Sequence, residues 1–256
     1  MRDFTLKKYR ELLDALSGAG YRFYVFEDIC KEKISEPYVV LRHDVDRKPG
    51  HALRMAELEN RSGIKATYYF RIVKKVFDID VIKKIASMGH EIGYHFEDLS
   101  RAGGDIQAAV ESFKNNVKKM REIVPVNTVS MHGKPLSRYD NRDLIPLIDF
   151  NSLNILCEPY SAVEKLGLVY LTDTGRRWDN EKVNVRDRVL SEPQVRVKRT
   201  GDIIEALSNE LKGRNMMLNI HPERWDDRLL PWFSGAVIQK GKNAVKYFLI
   251  RTGYGK

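Results

Sequence analysis

The chain has 256 residues, 43% of them hydrophobic, a formal net charge of +9 and two cysteines. That length accommodates one large α/β domain or two small ones with a real core, and the composition excludes a disordered or fibrous chain. No stretch approaches the apolar length that spans a bilayer, so no transmembrane segment is expected.

The N-terminus, MRDFTLKKYRELLDALSGAG, is charged and amphipathic and lacks the long apolar region of a secretory signal. The expectation is a cytoplasmic protein with one catalytic domain over 1–256. Cys30 and Cys157 lie far apart and in no metal-ligand spacing, so they are read as reduced thiols rather than a disulfide. The basic excess concentrates in Lys114–Arg121 and Lys240–Lys256. It suits an acidic partner, either an anionic surface or a substrate carrying phosphate, or else it forms solvated faces. No nucleic-acid motif accompanies it, and no nucleic-acid partner is expected. The sequence sets no oligomeric state.

In chain order, Phe4–Leu16 carries a helical stripe at Leu6, Tyr9, Leu12, Leu13 and Leu16. Pro37–Leu41 is strand-like, Gly50–Glu59 helical, and Lys65–Ile72 rich in β-formers. A helix over Ile79–Met88 is closed by Gly89, followed by a short strand at Glu91–His95. Gln107–Ile123 is a long amphipathic helix, and Thr128–His132 and Leu168–Thr172 are strands. Gly201–Leu211 is a helix, Asn215–His221 a buried strand, and Pro231–Arg251 a helical tail. Asn151–Lys198 fits the alternation worst and is read as loops covering one end of the sheet. Alternating strand and helix predicts an α/β fold with a parallel sheet, open or closed into a barrel.

Each strand is apolar along its body and ends in polar or titratable groups. Val39–Leu41 runs into Arg42-His43-Asp44-Val45-Asp46, and Glu91–Tyr94 into His95-Phe96-Glu97-Asp98. His132 and His221 close two further strands, so four of the six histidines stand at such ends. In a parallel sheet these ends converge on one side, where active sites form. Imidazole with carboxylate is a ligand set for zinc and related divalent ions. Asp44 and Asp46 share a face if the strand runs through them, one to bind metal and one to act as base; the alternative is a pair of turn or cap residues before Lys48-Pro49. His43 points the other way and is read as support for a carboxylate rather than as a ligand. His51 and His90 lie in or beside helices and are read as structural. Asp173, Arg176, Arg177 and Trp178, with Glu223, Arg224 and Trp225, form two polar-aromatic clusters. They suit a sugar ring or phosphate, or equally a salt bridge with buried tryptophan.

RHDVD (Arg42–Asp46), GIKATYYFR (Gly63–Arg71), MGHEIGYH (Met88–His95) and the strand-end His221 in LNIHPE resemble the polysaccharide deacetylase, or NodB-homology, superfamily. The HDVD start, DTGRRW and HPERW resemble a divergent bacterial branch of it, with ties to surface-polysaccharide synthesis. The resemblance implies a distorted (β/α) barrel of about seven parallel strands, a relative of the TIM barrel. It also implies a divalent-metal-dependent hydrolase, with zinc the expected ion, that removes acyl groups from amino sugars. By position Asp44 matches the base, Asp46 supplies the metal carboxylate, His95 matches the first metal histidine, and His221 the general acid. Leu99 stands where the second metal histidine is expected. His132 is the candidate replacement, with Glu97 or Asp98 behind it. The implied substrate is a carbohydrate, free or phosphate-linked, with Arg176, Arg177 or Arg224 on the phosphates where these are present. The alternatives are a regulatory protein on a decayed deacetylase scaffold, or another C–N hydrolase on the same barrel.

Overall fold

The computed structural model describes residues 2–35, 37–134, 137–178 and 195–251. Seven parallel strands form one sheet: β1 Arg22–Tyr24, β2 Tyr38–Val45, β3 Thr67–Phe70, β4 Glu91–Phe96, β5 Val129–Met131, β6 Val169–Thr172 and β7 Met216–Ile220. The spatial order is β5-β4-β3-β2-β7-β6. The short β1 pairs with residues 38–40 and β3 with residues 42–45, so the two share one edge of β2 in tandem. The sheet is curled. Arg42 on β2 donates to the Ser130 hydroxyl of β5, three strands away, at 2.6 Å. In a flat sheet that separation would be roughly 14 Å.

Strand alternation sorts the side chains. Val39, Leu41 and Val45 of β2, with Tyr68, Phe70, Ile92, Phe96, Leu171 and Leu218, face outward into a core shared with the helices. Against it pack α1 Leu6–Gly18, α3 Pro49–Arg61, α4 Ile79–Ser87, α6 Ile106–Arg121 and α8 Thr200–Ala206. The helix stripe read in the sequence is the contact face: Tyr9, Leu12, Leu13 and Leu16 of α1 are fully buried, each worth about 2 kcal/mol relative to exposure. Thr5, Asp78 and Asp105 cap α1, α4 and α6.

The inward set divides by height. Near the strand N-termini it is apolar: Tyr38, Val40, Tyr69, Tyr170 and Met217 pack with Phe26 and Ile29 of α2 Phe26–Lys31 and with Ala162 and Val163 of α7 Pro159–Leu166. Gly93 of β4 lets Tyr69 lie across the interior, because a Cβ there would collide with that ring and the Thr128 carbonyl. Toward the strand C-termini the inward positions become Arg42, Asp44, His95, Ser130, Asn219 and His221, all buried.

The structure departs from two of these readings and adds three short elements. Helix α7 lies within the stretch taken as loops, just before the expected strand β6, and residues 179–194 of that stretch fall outside the described set. The short β1, α2 and α5 Asp98–Arg101 carried too few residues for a periodic signal. Cys30 and Cys157 form a disulfide rather than standing as free thiols. The 127-residue separation hid their proximity: Cys157 bridges Thr128 beside β5, and Asn127 donates to Glu27 of α2, the helix carrying Cys30. Closing so long a loop stabilises by about 5 kcal/mol on the chain-entropy account.

Candidate active site

The C-terminal mouth of the sheet gathers Asp44, Asp46, His95, His132 and His221. Asp44, inward on β2, is buried. Arg42, two residues earlier on the same face, grips it with Nε at 2.9 Å and Nη2 at 2.8 Å. Asn219 adds a donor at 3.2 Å. Burial pushes the Asp44 carboxyl upward, but Arg42, His95 and His221 together hold it below the usual carboxylate range. Arg42 is itself fixed by Ser130 and by the Tyr160 ring, 4.7 Å from its guanidinium carbon. The sequence displayed Arg42 in its motif, but only the i,i+2 spacing on one strand face hinted at this role.

Asp46 lies just beyond β2. Its Oδ1 stands 3.2 Å from His132 Nε2 and 3.5 Å from His95 Nε2. One ligand atom from each of Asp46, His95 and His132 falls within 4.8 Å of the others. His95 Nδ1 is 3.0 Å from the Ser130 carbonyl. A carbonyl only accepts, so Nδ1 carries the proton and the Nε2 lone pair points into the mouth. Burial lowers the His132 pKa, which favours the neutral imidazole a metal needs. Asp46 Oδ1 is buried without a hydrogen-bond partner. A carboxylate oxygen left bare between two imidazoles fits a divalent cation, and the set matches zinc chemistry. Glu97, held by Arg71 at 2.6 Å, lies 3.8 Å from His132 Nδ1. Asp98 faces α6 instead, bonded to Tyr94, Ser112 and Asn116. Leu99 is core.

Across the mouth, His221 Nδ1 donates to Asp173 at 2.7 Å, which leaves Nε2 facing the site. Asp173 is fully buried and also accepts from the His221 amide, Arg224 and Trp225 Nε1. Burial and Arg224 push the His221 imidazole down, yet Asp173 holds it above its ordinary value. Glu223 beside it rises to about 7 through burial and the nearby Asp46 charge.

Several expectations for substrate contact fail on burial. Trp225 is fully enclosed and serves Asp173; Trp178 is buried against it, donating to Thr200 at 3.1 Å. Asp173 orients His221 rather than meeting substrate. Arg176 donates to the Trp232 carbonyl at 3.0 Å and lies over the Phe4 and Trp232 rings. Arg177 is exposed. His43 points outward to Glu59 at 2.7 Å, so the carboxylate it supports belongs to the core with Tyr9 and Tyr68.

No family model matches the sequence, and no curated protein matches it. Similar solved structures exist. The solved structures it is similar to are family 4 carbohydrate esterases and peptidoglycan deacetylases. A Streptococcus mutans esterase of this family aligns with a TM-score of 0.47 and 13% identity, over 92% of this chain and 90% of that one. A Bacillus subtilis peptidoglycan deacetylase aligns with 0.44 and 12%, over 83% and 86%. A family 4 pseudoenzyme aligns with 0.41 and 10%, over 84% and 64%.

Proposed function

We propose that the protein is a metal-assisted hydrolase that removes an acyl group, acetyl in the simplest case, from the nitrogen of an amino sugar. The observation that carries this reading is the facing of two unlike devices across one mouth: the bare Asp46 oxygen between His95 and His132, and the Asp173-oriented His221. Asp46, His95 and His132 would hold the ion. When bound, a divalent ion supplies Lewis-acid polarisation of the acyl carbonyl and a lowered water pKa. Asp44, kept ionised by Arg42, takes a proton from water as its oxygen adds to the acyl carbon. His221 protonates the sugar nitrogen as the C–N bond breaks, since an amide anion is a poor leaving group. Arg42 and Asp173 move no proton; they fix the charge and direction of the groups that do.

The phosphate-linked substrate belongs to the same proposal. Lys242, lowered by burial, feels the charges of Arg47, Arg224, Glu223 and Asp46, so three cations gather at the mouth beside the acids. A sugar carrying phosphate suits that rim. A surface-polysaccharide pathway and the identity of the ion are proposed on the motif resemblance. The cytoplasmic placement is also proposed, and the Cys30–Cys157 disulfide opposes it, because such a bond persists in an oxidising compartment; thiols that alkylate in intact cells support the placement, and blocked thiols contradict it.

The direct test is amine and carboxylate release from N-acetylated amino sugars and their phosphate-linked forms, with added divalent metal. The expected result is turnover in the unaltered protein and loss of more than about a thousandfold in Asp44→Asn and His221→Ala. No turnover with any donor, or full activity in both variants, sinks the reading.

A further inference from the structure

Helix α9, Leu229–Arg251, leaves an apolar stripe exposed. Its inner face holds polar groups: the Trp232 indole donates to the Asp3 carbonyl at 2.7 Å, and Asn243 donates to the Gly175 carbonyl at 2.9 Å. Lys242, half-buried on the same face, feels the charges of Asp46 and Glu223. The outer face is apolar. Leu230 is 80% exposed, Phe233 60% and Ile238 58%, with Val237 and Val245 in the same stripe. Seven of the twelve large hydrophobics exposed among the described residues lie on this one helix. An amphipathic helix in water normally turns its apolar stripe to the core, and a contiguous exposed stripe marks a contact surface.

The charges on the helix identify what covers it. Residues 229–251 contain no Asp or Glu, and Lys240, Lys242, Lys246 and Arg251 are its only charged side chains. Lys240 and Arg251 are exposed. A second copy pressed against the stripe would bring two all-cationic helices together, with no acid on either to compensate. A surface that is both apolar beneath and negative at its face matches both features at once. Among the described residues no helix is long and apolar enough to cross a membrane, so the geometry is that of a helix lying in the interface rather than spanning it.

We propose that α9 docks the protein on an anionic lipid surface, with Leu230, Phe233, Val237 and Ile238 entering the acyl boundary and Lys240 and Arg251 meeting the headgroups. This requires no step of the hydrolase reading. The test is flotation of the full chain with vesicles of phosphatidylcholine alone and with about one third phosphatidylglycerol. The expected result is binding at least about a hundredfold tighter to the anionic vesicles, weakened by salt. Phe233→Glu and Ile238→Glu, both at exposed positions, should each cut binding about tenfold or more while leaving the melting temperature and amide hydrolysis unchanged. Absence of binding, equal binding to both vesicles, or binding that survives both substitutions overturns the proposal. So does a concentration-dependent dimer in light scattering that Phe233→Glu abolishes, because a second copy would then be the occupant.

Discussion

The two ends of the sheet each bury a carboxylate, and the two carboxylates reach opposite states. At the N-terminal end Glu91 accepts from the Thr67 hydroxyl at 2.8 Å, the Glu27 amide at 3.0 Å and the Thr128 hydroxyl. Every one of these donors is neutral, so burial dominates and lifts the carboxyl to about 7. At the C-terminal end Asp44 is no less enclosed, but Arg42 grips it and His95 and His221 add positive charge, so its pKa falls. Depth is similar; the charge of the partner decides. One end is closed by α2 and held by the disulfide. The other keeps ionised acids opposite neutral or orientable imidazoles, which is what proton transfer and metal binding require.

The comparison can be broken most forcefully at Arg42. Arg42→Leu leaves Asp44 buried beside no guanidinium, the situation of Glu91. The expected cost is about 3–5 kcal/mol of stability near neutral pH, read by denaturant unfolding, together with loss of hydrolysis. Unchanged stability would mean that Asp44 does not depend on its pair.

Glu91 sharpens the other side. Its folded pKa lies above the unfolded value near 4.5, so its favourable contribution is complete below about pH 4.5 and is lost as pH rises through about 7. Glu91→Gln removes that dependence. The difference in unfolding free energy between the two proteins should change by about 3 kcal/mol from pH 4.5 to pH 8, with the variant gaining. Turnover should be unchanged, because Glu91 sits at the end away from the site. A constant difference across that range contradicts the raised value.

Asp173 gives the smallest effect. Asp173→Asn removes the charge that holds His221 up against burial and Arg224, while Asp46 remains nearby. The alkaline limb of kcat/KM should move to lower pH, with a loss of about 10–100-fold. An unmoved limb would remove His221 as the proton donor.

Much of this was legible in the sequence for physical reasons. Parallel strands end on one side, so the convergence of His95, His132 and His221 at one mouth could be expected, and Leu99 directed attention to His132. Strand alternation also placed His43 on the face away from Asp44. The grip of Arg42 and the relay through Asp173 were not legible, because both depend on which atoms meet across a curled sheet. Nor could adjacency tell the direction of Trp178 and Trp225: an Arg-Trp pair reads the same whether the indole meets a sugar or, as here, is buried around Asp173 and Thr200. The disulfide was hidden by its 127-residue separation, and the outer face of α9 by the expectation that a helix turns its apolar residues inward.

Asp46, His95 and His132 are proposed to form one cation site, with Leu99 in the core away from it. Zinc titration by calorimetry of the metal-stripped chain, paired with His132→Ala, tests it most directly. The expected result is one ion per chain in the unaltered protein and affinity reduced by at least about a hundredfold in the variant. An unaltered chain that binds no zinc, or a His132→Ala variant that binds it equally well, contradicts it.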